Sequence, residues 1–336
     1  MTELAPPRTP DPAQAPPLRW GVMGTGWIVE RFVGSLRRHT SQQVVAVASR
    51  DGARARAAAA GLDVPNAHEG YAALAADAGV DVVYVGTGHR EHVACARTAL
   101  EAGKHVLVEK PMAMDAAGAE ELVALARDRG LFLAEAMWTF FLPRFDVVRQ
   151  VLDSGVLGEV RTVLADNGEH FEPDHRILRA DLDGGPMLDL GSYPIAFATW
   201  VLGEPQRVTA SAVGHPAGVV GQVAAVLSTA SGAQAVLHTS VFGDTPVTAA
   251  VCGTEGVLLL DGPFYQPGDV EVRFADGRPP QRWTEPRTAH DALFHEAAET
   301  ARCIDAGATE TPLRPWADTI ATLRVMDAVR EQAVPE

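Results

Sequence analysis

Leu18-Arg19-Trp20-Gly21-Val22-Met23-Gly24-Thr25-Gly26 decides the architecture. A short apolar run of strand length meets a glycine-bounded turn, and Ile28 to Arg38 then carries helical spacing. In that setting glycines allow a tight turn and close approach of a pyrophosphate. The helix N-terminus adds free N–H groups and a positive dipole. The dinucleotide contacts expected here are Gly24, Thr25, Gly26, Trp27 and Ile28. The third glycine of the usual pattern is replaced by Val29, where a small residue normally serves helix–strand packing.

Working outward, Gln43 to Ser49 is a second buried strand, and Ala53 to Ala60 and Tyr71 to Ala78 are helices. Val80 to Gly86 is a strand, and Glu91 to Ala102 is a helix closed by Gly103. His105 to Glu109 is a strand, Ala116 to Arg129 a helix closed by Gly130, and Leu131 to Ala134 a further strand. Strands alternating with helices at this spacing predict a parallel, doubly wound sheet. The fold class is therefore α/β, with a Rossmann domain over 18–140.

The pattern then changes. Arg144 to Ser154 is a helix, Gly158 to Arg161 leads into a strand, and 186–202 reads as a helix interrupted near Pro194. Extended runs follow at Val208–Val213, Gln222–Thr229, Ala233–Phe242, Thr248–Cys252, Val257–Asp261 and Val270–Phe274, separated by turns such as Ser231-Gly232 and Asp276-Gly277. They predict an antiparallel sheet, in an α+β domain over 141–336, for which the resemblance described below implies a substrate and oligomerisation role. Helices His290 to Ala306 and Pro315 to Gln332 close the chain. Residues 1–17 carry Pro6, Pro7, Pro10, Pro12, Pro16 and Pro17 without apolar periodicity, so a disordered arm is expected.

A chain of 336 residues, 47% hydrophobic, allows about two domains of roughly 150 residues with sizeable cores. The net charge of −15 argues against nucleic acid or an anionic membrane as a partner. Cys95, Cys252 and Cys303 lack ligand spacing and read as reduced thiols. With no apolar signal core and no membrane-length apolar run, a cytoplasmic location is expected.

Cofactor choice is read at the end of the second strand. An acidic residue there would bind the ribose hydroxyl of NAD. This chain has Ser49-Arg50, with Arg54 a helical turn on, and Asp51 one residue late. A hydroxyl and guanidinium groups suit a 2′-phosphate, so NADP is expected over NAD. Lys110 ends a later strand, on the side where open α/β sheets bind ligands, and a cis Lys110–Pro111 bond is expected to hold it.

In Gly184-Gly185-Pro186-Met187-Leu188-Asp189-Leu190-Gly191-Ser192-Tyr193, Asp189 and Tyr193 lie one helical turn apart. A carboxylate and a phenol with a lysine make a proton-transfer set. A nearby ammonium and oxidised nicotinamide would lower the tyrosine from its usual pKa of about 10. His170, Asp174 and His175 read as a polar loop, and no metal site is expected. His290 and His295 are assigned no ligand role.

Together these residues resemble the Gfo/Idh/MocA oxidoreductase family, from Leu18 onward. The glycine turn, Ala102-Gly103-Lys104-His105-Val106-Leu107-Val108-Glu109-Lys110-Pro111, and Gly184-Gly185 with Asp189 to Tyr193 carry the resemblance. Ser49-Arg50, Tyr193 and the stretch Glu135-Ala136-Met137-Trp138-Thr139-Phe140-Phe141-Leu142-Pro143 look most like its branch of dimeric dihydrodiol and NADP-dependent D-xylose dehydrogenases.

The resemblance implies a Rossmann domain followed by an open antiparallel sheet that joins a homodimer or homotetramer. It implies that Lys110 orients the substrate hydroxyl, that Tyr193 is the acid/base, and that Asp189 binds substrate or supports the proton path. Trp138 and Arg176 would lie near the substrate, and Thr87, Gly88, His92, Glu109, Lys110 and Pro111 on the cofactor side. The implied reaction moves hydride between NADP and a secondary alcohol or carbonyl, or a sugar anomeric carbon, of a sugar or cyclic diol. The alternatives are a keto-sugar reductase and a non-catalytic NAD(P)-binding sensor. A metal-dependent lyase or hydrolase is disfavoured. The chain departs from the family pattern at Gly88, Phe140 and Pro186, the last two expected near the substrate.

Overall fold

The computed structural model describes residues 2–333. They fold as two compact units. One comprises Thr9–Leu142 with Thr288–Thr319, and the other Pro143–Arg287 with the described residues up to Arg8 and from Ile320 onward.

Among the described residues of the first unit, six strands form one parallel sheet. Their order is Asn66–Glu69, Gln43–Ser49, Arg19–Met23, Val82–Val85, His105–Glu109 and Leu133–Ala136. Val82, Val83, Tyr84 and Val85 are all fully buried, as expected of a strand covered on both faces. Strand order reverses between Arg19–Met23 and Val82–Val85, and a doubly wound sheet opens its ligand crevice at that point. Phe32, on the helix Trp27–His39, stacks on Tyr84 with ring centroids 3.8 Å apart and meets Trp20 edge-on. Asn66–Glu69 carried no sequence signal because it is a polar, largely exposed edge strand.

The domain boundary expected at 140/141 needs correction for 288–319, which belongs to this unit. The edge strand requires a partner, and Leu133 N–H donates to the Thr309 carbonyl at 2.9 Å. The helix Phe294–Asp305 buries Ala297, Ala298 and Ala301, and Phe294 N–H donates to Ser35 Oγ at 2.9 Å.

Among the described residues of the second unit, nine strands form a sheet in the order Thr2–Glu3, Gln281–Trp283, Val270–Phe274, Gly256–Leu260, Ala249–Gly253, Val160–Gly168, Gln234–Ser240, Val220–Ser228 and Arg207–Gly214. Most neighbours are antiparallel. Val160–Gly168 with Gln234–Ser240, and Thr2–Glu3 with Gln281–Trp283, are parallel. The period-two pattern turns Ala235 and Leu237 inward and leaves Val236 47% exposed beside Leu164 at 43%. One face is thus packed, in part by the helix Ser192–Leu202, and the other is open.

The disordered arm expected over 1–17 is also corrected for its described residues. In the second unit Thr2–Glu3 pairs with Gln281–Trp283, Leu4 is buried, and Arg8 Nη2 meets Asp146 Oδ1 at 2.7 Å. In the first unit Ala15 packs against Ala298 and Ala301, and Arg302 donates to the Asp11 carbonyl at 2.8 Å. Backbone pairing and long-range ion pairs fix the segment, and neither leaves a hydrophobic period. Prolines also reduce the entropy lost on ordering.

Candidate active site

Gly24 has φ +114°, and a Cβ there would collide with the Gly86 carbonyl, so the turn requires glycine. Gly26 caps the helix Trp27–His39, and no atom lies within 4 Å of where its Cβ would stand. That open backbone, at a helix N-terminus on the sheet's switch point, fits a dinucleotide pyrophosphate. Val29 is accommodated because its partner is a glycine: a Cβ on Gly86 would lie 2.7 Å from Val29 Cγ2.

At the end of the second strand Ser49 is buried, while Arg50 is 74% exposed and pairs with Glu91. Asp51 caps the helix Gly52–Gly61, accepting from Ala53 N–H at 2.7 Å and Arg54 N–H at 3.2 Å. The carboxylate is therefore engaged by its own helix, and the arginine is the exposed group at this edge.

The turn Glu109–Met112 is held from three sides, and its Lys110–Pro111 bond is cis. Glu109 accepts from Tyr84 OH at 2.5 Å and Lys110 N–H at 3.1 Å. Burial pushes its carboxyl up, against the pull of these donors and of Lys110. His92 Nδ1 lies 2.8 Å from the Pro111 carbonyl and Nε2 lies 3.2 Å from the Thr87 carbonyl. Glu135 accepts the Met112 N–H at 3.1 Å and is itself held by the buried Arg314 at 3.0 Å. Lys110, half-buried, thus leaves a rigid turn.

His92 and Glu109 were expected to touch the cofactor. His92 is fully buried and tied to two loop carbonyls, and burial pushes its pKa down. The two residues set the position of Thr87 and Lys110. Pro111 is buried with them, Thr87 is half-buried, and Gly88 is exposed.

Trp138 opens the turn Trp138–Phe141 and is 3% exposed. Its ring stacks on His290 at 5.1 Å and 17°, and Trp27 meets the same imidazole edge-on at 5.1 Å and 88°. Sequence reasoning missed His290 because it placed the residue on a regular helix, where spacing gave it no partner. It sits instead on the 3-10 turn Ala289–Leu293. Phe140 is buried beneath Arg314, whose Cζ stands 4.9 Å from the ring centre. The departure at Phe140 therefore serves packing in the first unit.

In the second unit a Cβ at Gly184 would strike the carbonyls of Ile177 and Arg179, and Gly185 has φ +108°. This glycine pair brings the chain into a π-helical turn, Met187–Gly191, before the helix Ser192–Leu202. The interruption expected near Pro194 lies in that turn. A π turn widens the backbone ring and often marks a functional site. Asn167 Nδ2 donates to the Leu190 carbonyl at 3.0 Å, and the Asn167 carbonyl accepts from Thr239 OH at 2.9 Å.

Asp189 Oδ1 accepts from Arg176 Nη2 at 2.6 Å, so two residues separated in sequence meet. Tyr193 is buried and stacks on Tyr265 at 4.0 Å and 15°. Tyr265 rides on a loop anchored by Arg144. That buried guanidinium donates to the carbonyls of Phe264, Gln266 and Asp269 at 3.1, 2.9 and 2.6 Å. Burial pushes the Tyr265 phenol up. Sequence analysis gave Tyr265 no role. The His175 ring stacks on Phe171, and among the described residues no group of His, Cys, Asp and Glu is arranged to hold a metal ion.

A doubly wound sheet with a glycine turn at its switch point and a lysine clamped at a nearby strand end defines a dinucleotide-dependent oxidoreductase. Residues 18–137 match the Gfo/Idh/MocA model for the oxidoreductase family with an NAD-binding Rossmann fold, and 145–259 match that family's C-terminal domain. The chain belongs to the Gfo/Idh/MocA oxidoreductase family.

It is 35% identical over 322 residues to trans-1,2-dihydrobenzene-1,2-diol dehydrogenase of Bos taurus, covering 94% of this chain and 96% of that one. The Homo sapiens protein of that name is 34% identical over 325 residues, with coverage of 94% and 96%. Among solved structures, KijD10, a 3-ketoreductase from Actinomadura kijaniata in complex with NADP and TDP-benzene, superposes with a TM-score of 0.83. It is 32% identical, over 95% of this chain and 99% of that chain. Levoglucosan dehydrogenase shares the fold, with a TM-score of 0.85 at 18% identity over 95% of this chain and 97% of that chain. The chain is an enzyme of the NAD(P)-dependent dehydrogenase and reductase kind, acting on CH–OH groups. Among the described residues no helix is long and apolar enough to cross a membrane.

Proposed function

We propose that this enzyme is NADP-dependent and acts on a ring carbon bearing a hydroxyl or carbonyl, in a cyclic diol or a sugar. The observation that carries the cofactor choice is the exposed Arg50 beside an Asp51 carboxylate committed to its own helix. Arg50 and Arg54 hold the 2′-phosphate, and the Gly24–Ile28 turn holds the pyrophosphate. The nicotinamide, when bound, supplies or accepts the hydride. Lys110 donates a hydrogen bond to the substrate oxygen, and its charge stabilises that oxygen as negative charge develops. Tyr193 returns or removes the hydroxyl proton, and Asp189, fixed by Arg176, orients the substrate. The substrate class rests on the relatives named for a dihydrobenzenediol and a 3-ketoreductase.

The test is NADPH formation with cyclic diols, aldopyranoses and inositols, beside Lys110→Ala and Arg50→Ala. NADP⁺-linked turnover with one class, abolished by Lys110→Ala, supports the reading, as does a selective loss of NADPH affinity in Arg50→Ala. Equal affinity for NADH and NADPH overturns the cofactor choice. Turnover only with NADPH and a keto-sugar favours the reductase, and cofactor binding without turnover favours the sensor.

We also propose that the open sheet face joins copies of the chain as a homodimer or homotetramer. Leu164 and Val236 expose apolar surface side by side on it, which a second copy would cover. A monomeric mass in light scattering, or an unchanged mass for Leu164→Glu/Val236→Lys, overturns this.

A further inference from the structure

His290 is an aromatic residue of the first unit that the mechanism above leaves unused. Its ring lies between two indoles, stacked on Trp138 and met edge-on by Trp27. Trp138 is nearly fully buried. Trp27 directly follows Gly26 of the cofactor turn and is 55% exposed. Packing of this kind fixes the plane of the imidazole without using its nitrogens, because ring–ring contacts are made by carbon faces and edges. A histidine kept only for stacking could be a phenylalanine. The imidazole adds a donor and an acceptor in the ring plane.

We infer that His290 is a substrate-positioning residue, whose ring nitrogen hydrogen-bonds the reacting alcohol or carbonyl oxygen, or its vicinal hydroxyl, alongside Lys110. The inference rests on the dehydrogenase reading of the same site. Three observations support it. The ring is held by the residue that follows the cofactor glycines and by Trp138, two residues beyond Ala136, the strand partner of Glu109. The charges that push its pKa down after burial are those of Arg31 and Lys110, both cations of the same unit. Burial, with those cations, pushes its pKa down, so at neutral pH the ring is uncharged and keeps one acceptor and one donor nitrogen.

A neutral imidazole beside an ammonium suits a substrate with two neighbouring oxygens, one for each group. That is the chemistry of a vicinal diol or an α-hydroxy ketone. It does not suit a carboxylate substrate, for which a second cation would serve better than a neutral ring.

His290→Phe retains the aromatic stack and removes the nitrogens, and His290→Ala removes both. Losing one buried hydrogen bond to substrate predicts that His290→Phe lowers kcat/KM for the vicinal diol about 10–100-fold. NADPH affinity, followed by fluorescence titration, stays within about twofold. Of the fall in wild-type kcat/KM on the acid side, the part caused by proton uptake on the ring disappears in His290→Phe, and the part set by Tyr193 stays.

A cyclic alcohol without the neighbouring hydroxyl closes the comparison. It is turned over equally by both forms if His290 binds that neighbour, whereas His290→Phe loses as much kcat/KM for it as for the diol if His290 binds the reacting oxygen. His290→Phe with wild-type kcat/KM and an unchanged acid limb overturns the inference while leaving the dehydrogenase reading intact. An equal loss of NADPH affinity also overturns it, since the residue then supports the cofactor. Wild-type protein that binds NADPH yet converts no alcohol or carbonyl overturns both.

Discussion

Val29 Cγ2 occupies the space that Gly86 leaves open, 2.7 Å from where a Cβ at 86 would stand. The small residue that usually sits on the helix has been traded for a small residue just past the end of the facing strand Val82–Val85. Gly86→Ala should therefore overpack the strand–helix contact by about 1–3 kcal/mol. Adding Val29→Ala should return part of that loss. In urea unfolding, the double variant should be more stable than the sum of the single variants by about 1 kcal/mol. Strict additivity would show that the two side chains do not compete for one space.

Arg50 pairs with Glu91, and both are at least partly exposed, so the pair contributes no more than about 1 kcal/mol. If Arg50 engages a 2′-phosphate, Glu91 competes for the same guanidinium. Glu91→Gln should then tighten NADPH binding by up to about fivefold, leave NADH unchanged, and steepen the loss of NADPH affinity with added salt. Weaker NADPH binding in a titration calorimeter would mean that Glu91 instead aims Arg50 at the phosphate.

Much of the first unit was legible because helix and strand periods dominate where a sheet is covered on both faces. Gln43–Ser49, His105–Glu109 and Ala116–Arg129 have the predicted bounds. Lys110 and Tyr193 stood out through motif context. The remainder lay in long-range contacts. The polar edge strand Asn66–Glu69 has no buried face to impose a period. The return of 288–319 to the first unit depends on an edge N–H and on alanines packing across the fold. The π turn at Met187–Gly191 is set by glycines pressed onto the carbonyls of Ile177 and Arg179, and sequence spacing does not register that contact. His290 gains its neighbours from two distant tryptophans.

Gly88 is one of the departures from the family pattern, and its φ of −72° is close to the value a proline ring imposes. No atom lies within 4 Å of its Cβ position. Gly88→Pro should raise stability by about 0.4–1 kcal/mol, by restricting the unfolded chain, and leave NADPH binding unchanged. A lower denaturation midpoint would show that Thr87 cannot take the extended conformation that proline demands of its predecessor.

His295 and Glu296 are consecutive on the helix Phe294–Asp305 and titrate in opposite senses. Burial lowers His295 from 6.5 to about 4, so across that interval the unfolded chain holds more protons than the folded one. Stability from His295 is complete above pH 6.5 and falls as pH drops toward 4, by at most about 3 kcal/mol. Glu296 is fully buried, and neither of its carboxyl oxygens has a hydrogen-bond partner. Burial first, and the charge of Glu109 second, raise it well above 4.5. The folded protein keeps a proton that the unfolded chain releases, so stability from this group falls as pH rises above 4.5. His295→Gln should therefore flatten the loss of stability on the acid side. Glu296→Met should remove the opposing loss on the alkaline side and stabilise the protein by about 1–3 kcal/mol at neutral pH, since an unpaired buried polar group is gone. Denaturant midpoints measured from pH 4 to 8 decide it. A wild-type slope retained in Glu296→Met would mean that the carboxyl has found water or a donor and is ionised in the folded protein.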